Sequence, residues 1–460
     1  MQWCNIVKRE YDGQLKGHEP LQLLVNLYQH DLALLIEHFE EIVSTTKAYR
    51  ESWGDQKSLP LLVNYHMVRI YSILEKTMVT LLLGGEIVKA NRLIGAYFGI
   101  PDNELIPGTN CYIIPNHPNG VAFCLESNVI WVAANAFDEI PKITSISNKF
   151  LGATHMFTNL MDFQVDVPER EGVPDPNAAP KLEETLRSYF QFKEMLKVPH
   201  IDRCTGYYLS YGTQMAIQNI MALEIGFTLP LIHSFQAPLK KRTIREVYVW
   251  EGETILAEYE RLGLEEIFSF FNIKVAYSSH HTAKQTDFLH NYSNPKYDLV
   301  WIICHGQYFH HEAHKSHLVL GSGFNLNIQD IPNAPTQDDG RRLLFIDACD
   351  GATTSLSNSP QSIGIGPAMI GRHQSLLSHG WPVDNHSSMI MGFLIAYFLC
   401  QGISYSEAHY NSIMTFRKGK DLIIQLLSQC IKNEDILDRI RNKDLAFDNF
   451  VYWGSPIYME

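Results

Sequence analysis

The sequence predicts an α/β fold: a doubly wound sheet flanked by helices, with an N-terminal region that is mainly helical. Three observations predict it. First, Asp298-Leu299-Val300-Trp301-Ile302-Ile303-Cys304-His305-Gly306 and Leu343-Leu344-Phe345-Ile346-Asp347-Ala348-Cys349-Asp350-Gly351 are apolar on both faces, as buried parallel strands are. Second, strand and helix patterns alternate after residue 240, which calls for crossover connections. Third, Leu24, Tyr28, Leu32, Leu35, Phe39 and Ile42 recur at three- and four-residue spacing over residues 20–49, the stripe of an amphipathic helix.

In chain order, a second helical stretch covers residues 61–97, with a break at Gly84-Gly85. The two helical stretches read as a packed hairpin or small bundle, or as a module that docks a partner. No 34-residue period marks a helical repeat. Cys111–Ile114, Val121–Leu125 and Val129–Val132 are strand-like, and Asn119-Gly120 between apolar runs signals a hairpin. Val167–Pro180 holds Pro168, Pro174, Pro176 and Pro180 and reads as an exposed, extended connection. The expected units are therefore residues 1–105, helical; 106–180, a small β region with the Pro-rich connection; and 181–460, the main domain. An alternative division places residues 105–165 in the main domain as a degenerate second half.

Within the main domain, Val247–Trp250 is a strand, followed by a helix over about 254–271. Lys274–Tyr277 is the next strand, followed by a helix near 282–292. The strand ending in His305 comes next, then loop sequence, then the strand ending in Cys349. A Ser/Asn/Gly-rich loop covers 351–366. An apolar helix runs from Ser387 to Cys400, residues 404–441 are helical, and Val451-Tyr452-Trp453 is predicted as a last strand.

Composition narrows the class. The 460 residues are 45% hydrophobic and 19% charged, enough apolar material for a large core. A formal net charge of −13 argues against a nucleic-acid surface and favours solubility. The eight cysteines form no C-x-x-C pair and mostly lie in apolar runs, so reduced thiols in the cytoplasm are expected. Asn5, Lys8, Arg9 and Glu10 interrupt any signal-peptide core. No apolar run approaches the ~18 residues of a membrane helix.

Chemistry gathers where strands end. In open α/β sheets, sites form outside the carboxyl ends of the strands. If the His305 and Cys349 strands are neighbours, the two side chains face each other across that edge. A thiolate is a strong nucleophile, and an imidazole beside it can take and return its proton. The bland reading makes Cys349 an inert core thiol and His305 a satisfied strand-end histidine. His310, His311, His314 and His317 form a competing cluster, in which His310 and His314 have zincin spacing. Glu312, however, is displaced by one from the H-E-x-x-H pattern. Solvated loop histidines fit better than a zinc hydrolase, and no metal is expected. No phosphate-binding G-x-x-x-x-G-K-[ST] occurs.

The two strand ends also carry a family resemblance. Asp347-Ala348-Cys349-Asp350-Gly351 is similar to the caspase signature around the nucleophile, and His305 precedes Cys349 by 44 positions. The sequence resembles a CHAT-domain cysteine protease, a mostly bacterial branch of the caspase, separase and gingipain clan. Leu209-Ser210-Tyr211-Gly212-Thr213, Glu258-Tyr259-Glu260, Gly380-Trp381-Pro382-Val383-Asp384, Gly402-Ile403-Ser404 with Glu407-Ala408, and Tyr452-Trp453-Gly454 follow the family's order. The first has Gly and Thr for the family's Pro and Ser, and His409 replaces a Leu. The resemblance covers about residues 200–460.

It implies a caspase-like fold and a regulated cysteine endopeptidase without a cofactor. Cys349 would be the nucleophile, His305 the acid and base, and the backbone N–H groups of Gly306 and Cys349 the oxyanion donors. Gly306 has a second reading as a turn glycine. Asp347 would line the primary specificity pocket and favour Arg or Lys before the cut, or else cap its strand end. Asp384 is a second pocket candidate, and Trp381 is either a wall of the cleft or core. Asp350 should point away from the sulfur, because a like charge there raises the thiol pKa. The implied partners are a protein substrate and a protein or ligand activator acting through the N-terminal region, in the setting of antiphage defence, with no nucleic acid or membrane. The other class of function is a caspase-like scaffold that binds and does not cut.

Overall fold

The computed structural model describes residues 77–78, 80–98, 110–117, 120–126, 128–132, 150, 174–209, 217–232, 239–309, 315–336, 340–353 and 364–460. The helix expected over 20–49 and most of the Pro-rich connection lie outside those residues. So do the histidine run 310–314 and residues 354–363 of the polar loop.

In chain order the described elements begin with helix α1, Ile87–Phe98, and strands β1, Asn110–His117, β2, Gly120–Leu125, and β3, Asn128–Val132. Helix α2, Ala179–Phe190, strand β4, Gly206–Leu209, and helix α3, Ile217–Ile225, follow. Next come β5, Glu246–Glu251, α4, Ala257–Phe270, β6, Lys274–Ser279, α5, Gln285–Tyr292, and β7, Leu299–Ile303. Three short strands are β8, His305–Gln307, β9, His317–Gly321, and β10, Phe324–Asn327. Then come β11, Arg342–Asp347, α6, Ile365–Met369, β12, Gln374–His379, and α7, Asn385–Cys400. The chain closes with α8, Tyr405–Arg417, α9, Lys420–Leu427, α10, Glu434–Asn442, α11, Phe450–Trp453, and β13, Pro456–Met459.

The expected break at Gly84-Gly85 is present. Gly85 takes φ +77°, the left-handed conformation that glycine adopts without steric cost, before α1 begins. The predicted hairpin is also present, with His117 paired to Gly120 across the β1–β2 turn.

The main sheet has the order β13-β12-β11-β7-β5-β6. Its strands run parallel except β13, which is antiparallel to β12. Alternation along each strand builds two apolar faces. Val247, Val249, Trp301, Ile303, Leu343, Phe345 and Leu377 pack toward α4 and α7. Trp250, Val300, Ile302, Leu344 and Ile346 pack toward α5, β9 and α6. The sheet is thus doubly wound, as the two all-apolar runs require: strands without a polar face need a helical layer on each side. Gly263 of α4 matters to that packing, because a Cβ there would strike the Phe393 ring of α7.

A second sheet has the order β3-β2-β1-β4, in which β4 is parallel to β1. Leu231 joins it to the first by bridging Tyr207 of β4 on one side and Met459 of β13 on the other. Helix α3 bolts this seam. Gln218 donates to the carbonyls of Leu229 and Tyr458 at 2.9 and 2.7 Å and accepts from the Tyr458 N–H at 2.8 Å. Asn219 donates to Gly454 and Pro456 at 2.7 and 2.8 Å. Amides buried this deeply are tolerated because they satisfy backbone groups that would otherwise lack partners.

One expected element is corrected. Val451-Tyr452-Trp453 lies in helix α11, and the last strand, β13, begins three residues after Trp453, at Pro456. Asn449 sets the difference: its side chain accepts from the Val451 N–H at 3.0 Å and caps a helical turn. The β-like composition of Val-Tyr-Trp serves the core instead, where Val451 and Trp453 are buried.

Candidate functional site

The His305 and Cys349 strands are neighbours. β7 and β11 pair in parallel with Ile303 opposite Asp347, and the ladder continues when the Cys304 N–H donates to the Asp347 carbonyl at 3.1 Å. Beyond this point the chains diverge into two different structures. His305 opens β8, pairs with Val319 of β9, and is exposed. Gly306 rests on the backbone of Cys349, where a Cβ would collide with the Cys349 carbonyl oxygen and lie 3.1 Å from its carbonyl carbon. Glycine is therefore required here by close approach, not by its φ.

Cys349 sits on a turn in which the Gly351 N–H donates to Ala348 at 3.3 Å and the Ala352 N–H donates to His379 at 2.8 Å. Asp350 holds the left-handed conformation at φ +56°, which Asp tolerates better than most residues. Its carboxylate accepts from the Thr353 hydroxyl at 2.8 Å. The Cys349 thiol is partly covered, and burial pushes its pKa up to about 11; Asp350 and Asp347 add to the rise, and the Val383 backbone N–H offsets part of it. Around neutral pH it is a thiol, and attack requires a base to take its proton.

Asp347 turns beneath the sheet. It is 6% exposed. Its Oδ1 lies 3.2 Å from His379 Nε2 and also accepts from the Ser388 hydroxyl. Burial opposes its ionisation, but the hydrogen bonds and charge of His379, with those from Glu260 and Ser388, hold its carboxyl below the usual range. Glu260, from α4, behaves oppositely. Burial and the negative charge of Asp347 push it well above the usual carboxylate range, against a hydrogen bond from the Trp301 indole at 2.8 Å.

The other two candidates have structural partners. Asp384 caps α7 by accepting from the N–H groups of His386 and Ser387 at 3.0 and 3.1 Å, and Lys443 lies 3.3 Å from its second oxygen. Asp384→Ala should cost about 1 kcal/mol of stability, as lost N-caps do; the midpoint of urea unfolding measures it. Trp381 is 2% exposed, donates to Val451 at 3.0 Å, and packs edge-on against Phe150 at 5.1 Å. Its contacts are those of core.

Glu260, His379 and Ser388 were not among the sequence candidates. For Glu260 a signal existed. It falls in the buried row Ala257, Glu260, Leu264, Ile267, Phe268 of α4, where an acid breaks the apolar stripe. His379 and Ser388 carry no local signal, because only the sheet order brings them to Asp347.

Among the described residues no group of three or more His, Cys, Asp and Glu could hold a metal ion. All seven described cysteines are free thiols. No helix of the described residues is long and apolar enough to cross a membrane.

No family model matches the sequence, and no curated protein matches it. Among solved structures the chain is similar to a separase–securin complex of Saccharomyces cerevisiae, at 12% identity and a TM-score of 0.28. The match covers 96% of this chain and 28% of that one. A likeness at that score carries no argument, so what is established is the α/β architecture: a parallel sheet with helices on both faces, bearing His305 and Cys349 at the ends of adjacent strands.

Proposed function

We propose that this protein is a cysteine endopeptidase of the CHAT and caspase-like kind, with Cys349 as nucleophile and His305 as the group that takes its proton. The observation that carries the reading is the parallel register of β7 and β11, with Gly306 seated against the Cys349 backbone. Attack by Cys349 Sγ forms a bond to the scissile carbonyl carbon. The thiol proton passes to His305 and then to the leaving amine, and water hydrolyses the thioester. The developing oxyanion would be met by the backbone N–H groups of Gly306 and Cys349, fixed dipoles that need no reorganisation. The raised thiol pKa fits a mechanism in which deprotonation accompanies attack.

The proposed substrate is a protein cut after Arg or Lys. Asp347 would select the basic residue, because it lies two positions before Cys349 and side chains two apart on a strand share a face. Asp347→Asn should lower kcat/KM at least about tenfold on basic substrates, roughly 1.4 kcal/mol, and less on neutral ones. Mapping cut sites by mass spectrometry tests this, and cuts mainly after Asp or large apolar residues would remove Asp347 from the role. On the family resemblance, we propose that activity is regulated, with an activator docking on the N-terminal region, and that the setting is antiphage defence.

A further inference from the structure

Two carboxyl groups face each other beneath the nucleophile turn, and the proteolytic reading does not use one of them. Glu260 is 3% exposed and Asp347 is 6% exposed. They approach each other beside Gly392 of α7, where a Cβ would lie 3.4 Å from Glu260 Oε1 and 3.8 Å from Asp347 Oδ2. Around them stand Trp301 from β7, His379 from β12 and Ser388 from α7; Cys304 is close enough to feel both acids. Trp301, His379 and Ser388 are engaged at Glu260 Oε1 and Asp347 Oδ1. Asp347 Oδ2 is fully buried and meets no N–H, hydroxyl or amide donor. Two carboxylates in contact, out of water, do not both ionise. The remaining donor for Oδ2 is the opposing carboxyl itself, and it donates only when it carries a proton.

We propose that Glu260 stays protonated at neutral pH, donates to Asp347 Oδ2, and so acts as the positioning residue for the strand end that carries Cys349. The route is short. The Asp347 carbonyl holds Cys304, which precedes His305, and the chain from Asp347 reaches Cys349 in two residues. His379 closes the frame from the other side, its ring on Asp347 and Ser455 and its carbonyl on Ala352 of the nucleophile turn. The meaning of the site as catalytic rests on the peptidase reading; the protonation does not.

The pair also fixes a sign for stability against pH. A carboxyl raised in the folded state contributes stability that is fully present below its ordinary pKa and lost as pH rises through the raised value. Asp347, held low, contributes stability present above its ordinary range and lost in acid. Glu260→Gln keeps a donor toward Asp347 and an acceptor for Trp301 but cannot ionise. It should flatten the alkaline decline and leave the acid limb in place.

The test uses the full chain without substrate. An infrared difference spectrum at pH 8, wild type minus Glu260→Gln, should show the carbonyl band of a protonated carboxyl. Iodoacetamide labelling of Cys349 should be unchanged within about twofold in Glu260→Gln and altered at least about tenfold in Glu260→Ala, the pattern of a hydrogen bond rescued by its isostere. Absence of the band at pH 8, or Gln and Ala variants that label alike, would overturn the proposal. If Glu260→Ala does not fold, the infrared band and the alkaline limb of Glu260→Gln decide. A protein with the band that cuts no peptide would retract the peptidase reading alone.

Discussion

Cys349→Ala is expected to abolish peptide cleavage, with kcat reduced by about 10⁴ or more. The methyl side chain cannot attack, so only binding and oxyanion stabilisation remain to act on water. The fold should not notice the change. The turn bearing Cys349 is held by backbone hydrogen bonds from Gly351 and Ala352 and by the Thr353 hydroxyl on Asp350 and Gly380, none of which uses the sulfur. Removing a partly covered, unionised thiol also removes no charge. Turnover of a labelled peptide, measured beside thermal unfolding, checks both halves: lost activity with an unchanged melting temperature supports the nucleophile, and equal loss of both points to an inert core thiol.

Gly306→Ala is the second large effect. The added carbon would overlap the Cys349 carbonyl oxygen and touch Ala348 Cβ at 3.4 Å. Both obstacles belong to the turn bearing Cys349, so either β8 or that turn must move by about 1 Å, because Cβ atoms do not approach oxygen closer than about 3 Å. A displacement of that size at reacting groups costs about 10²-fold in rate, and the overpacking should cost about 1–3 kcal/mol of stability. Gly371→Ala is the control, since nothing lies within 4 Å of its added carbon. The expectation is a large fall in kcat for the first variant and none for the second.

The strands that carry the chemistry were legible because their residues are apolar on both faces, a pattern that only a parallel sheet between two helical layers satisfies. Their adjacency was legible as a condition: His305 and Cys349 each follow a buried strand and precede a glycine turn. The sequence pattern failed where a local cap overrode it. Val451-Tyr452-Trp453 has strand composition, but Asn449 starts a helical turn there, and the strand begins only after Gly454-Ser455. The acid network was illegible for a different reason. Asp347, His379, Ser388 and Glu260 come from two strands and two helices up to 128 positions apart in sequence, from 260 to 388. Nothing local marks His379 as a partner of Asp347, since both simply end apolar strands. Only the order β12-β11-β7 makes them neighbours. The same holds for the seam at Leu231, a single residue that joins two sheets and has no signature of its own.

The partnership of Cys349 with His305 is tested most directly by intact-mass analysis of the full chain treated with a peptidyl-arginine chloromethyl ketone. On the proposed reading the reagent would occupy a basic-selecting site and alkylate Cys349, activated by His305. The account predicts one adduct, mapped to Cys349, forming at least about 100-fold more slowly in His305→Ala. An adduct on the partly covered Cys204 or Cys400 instead, or labelling of Cys349 at the same rate with and without His305, would contradict it.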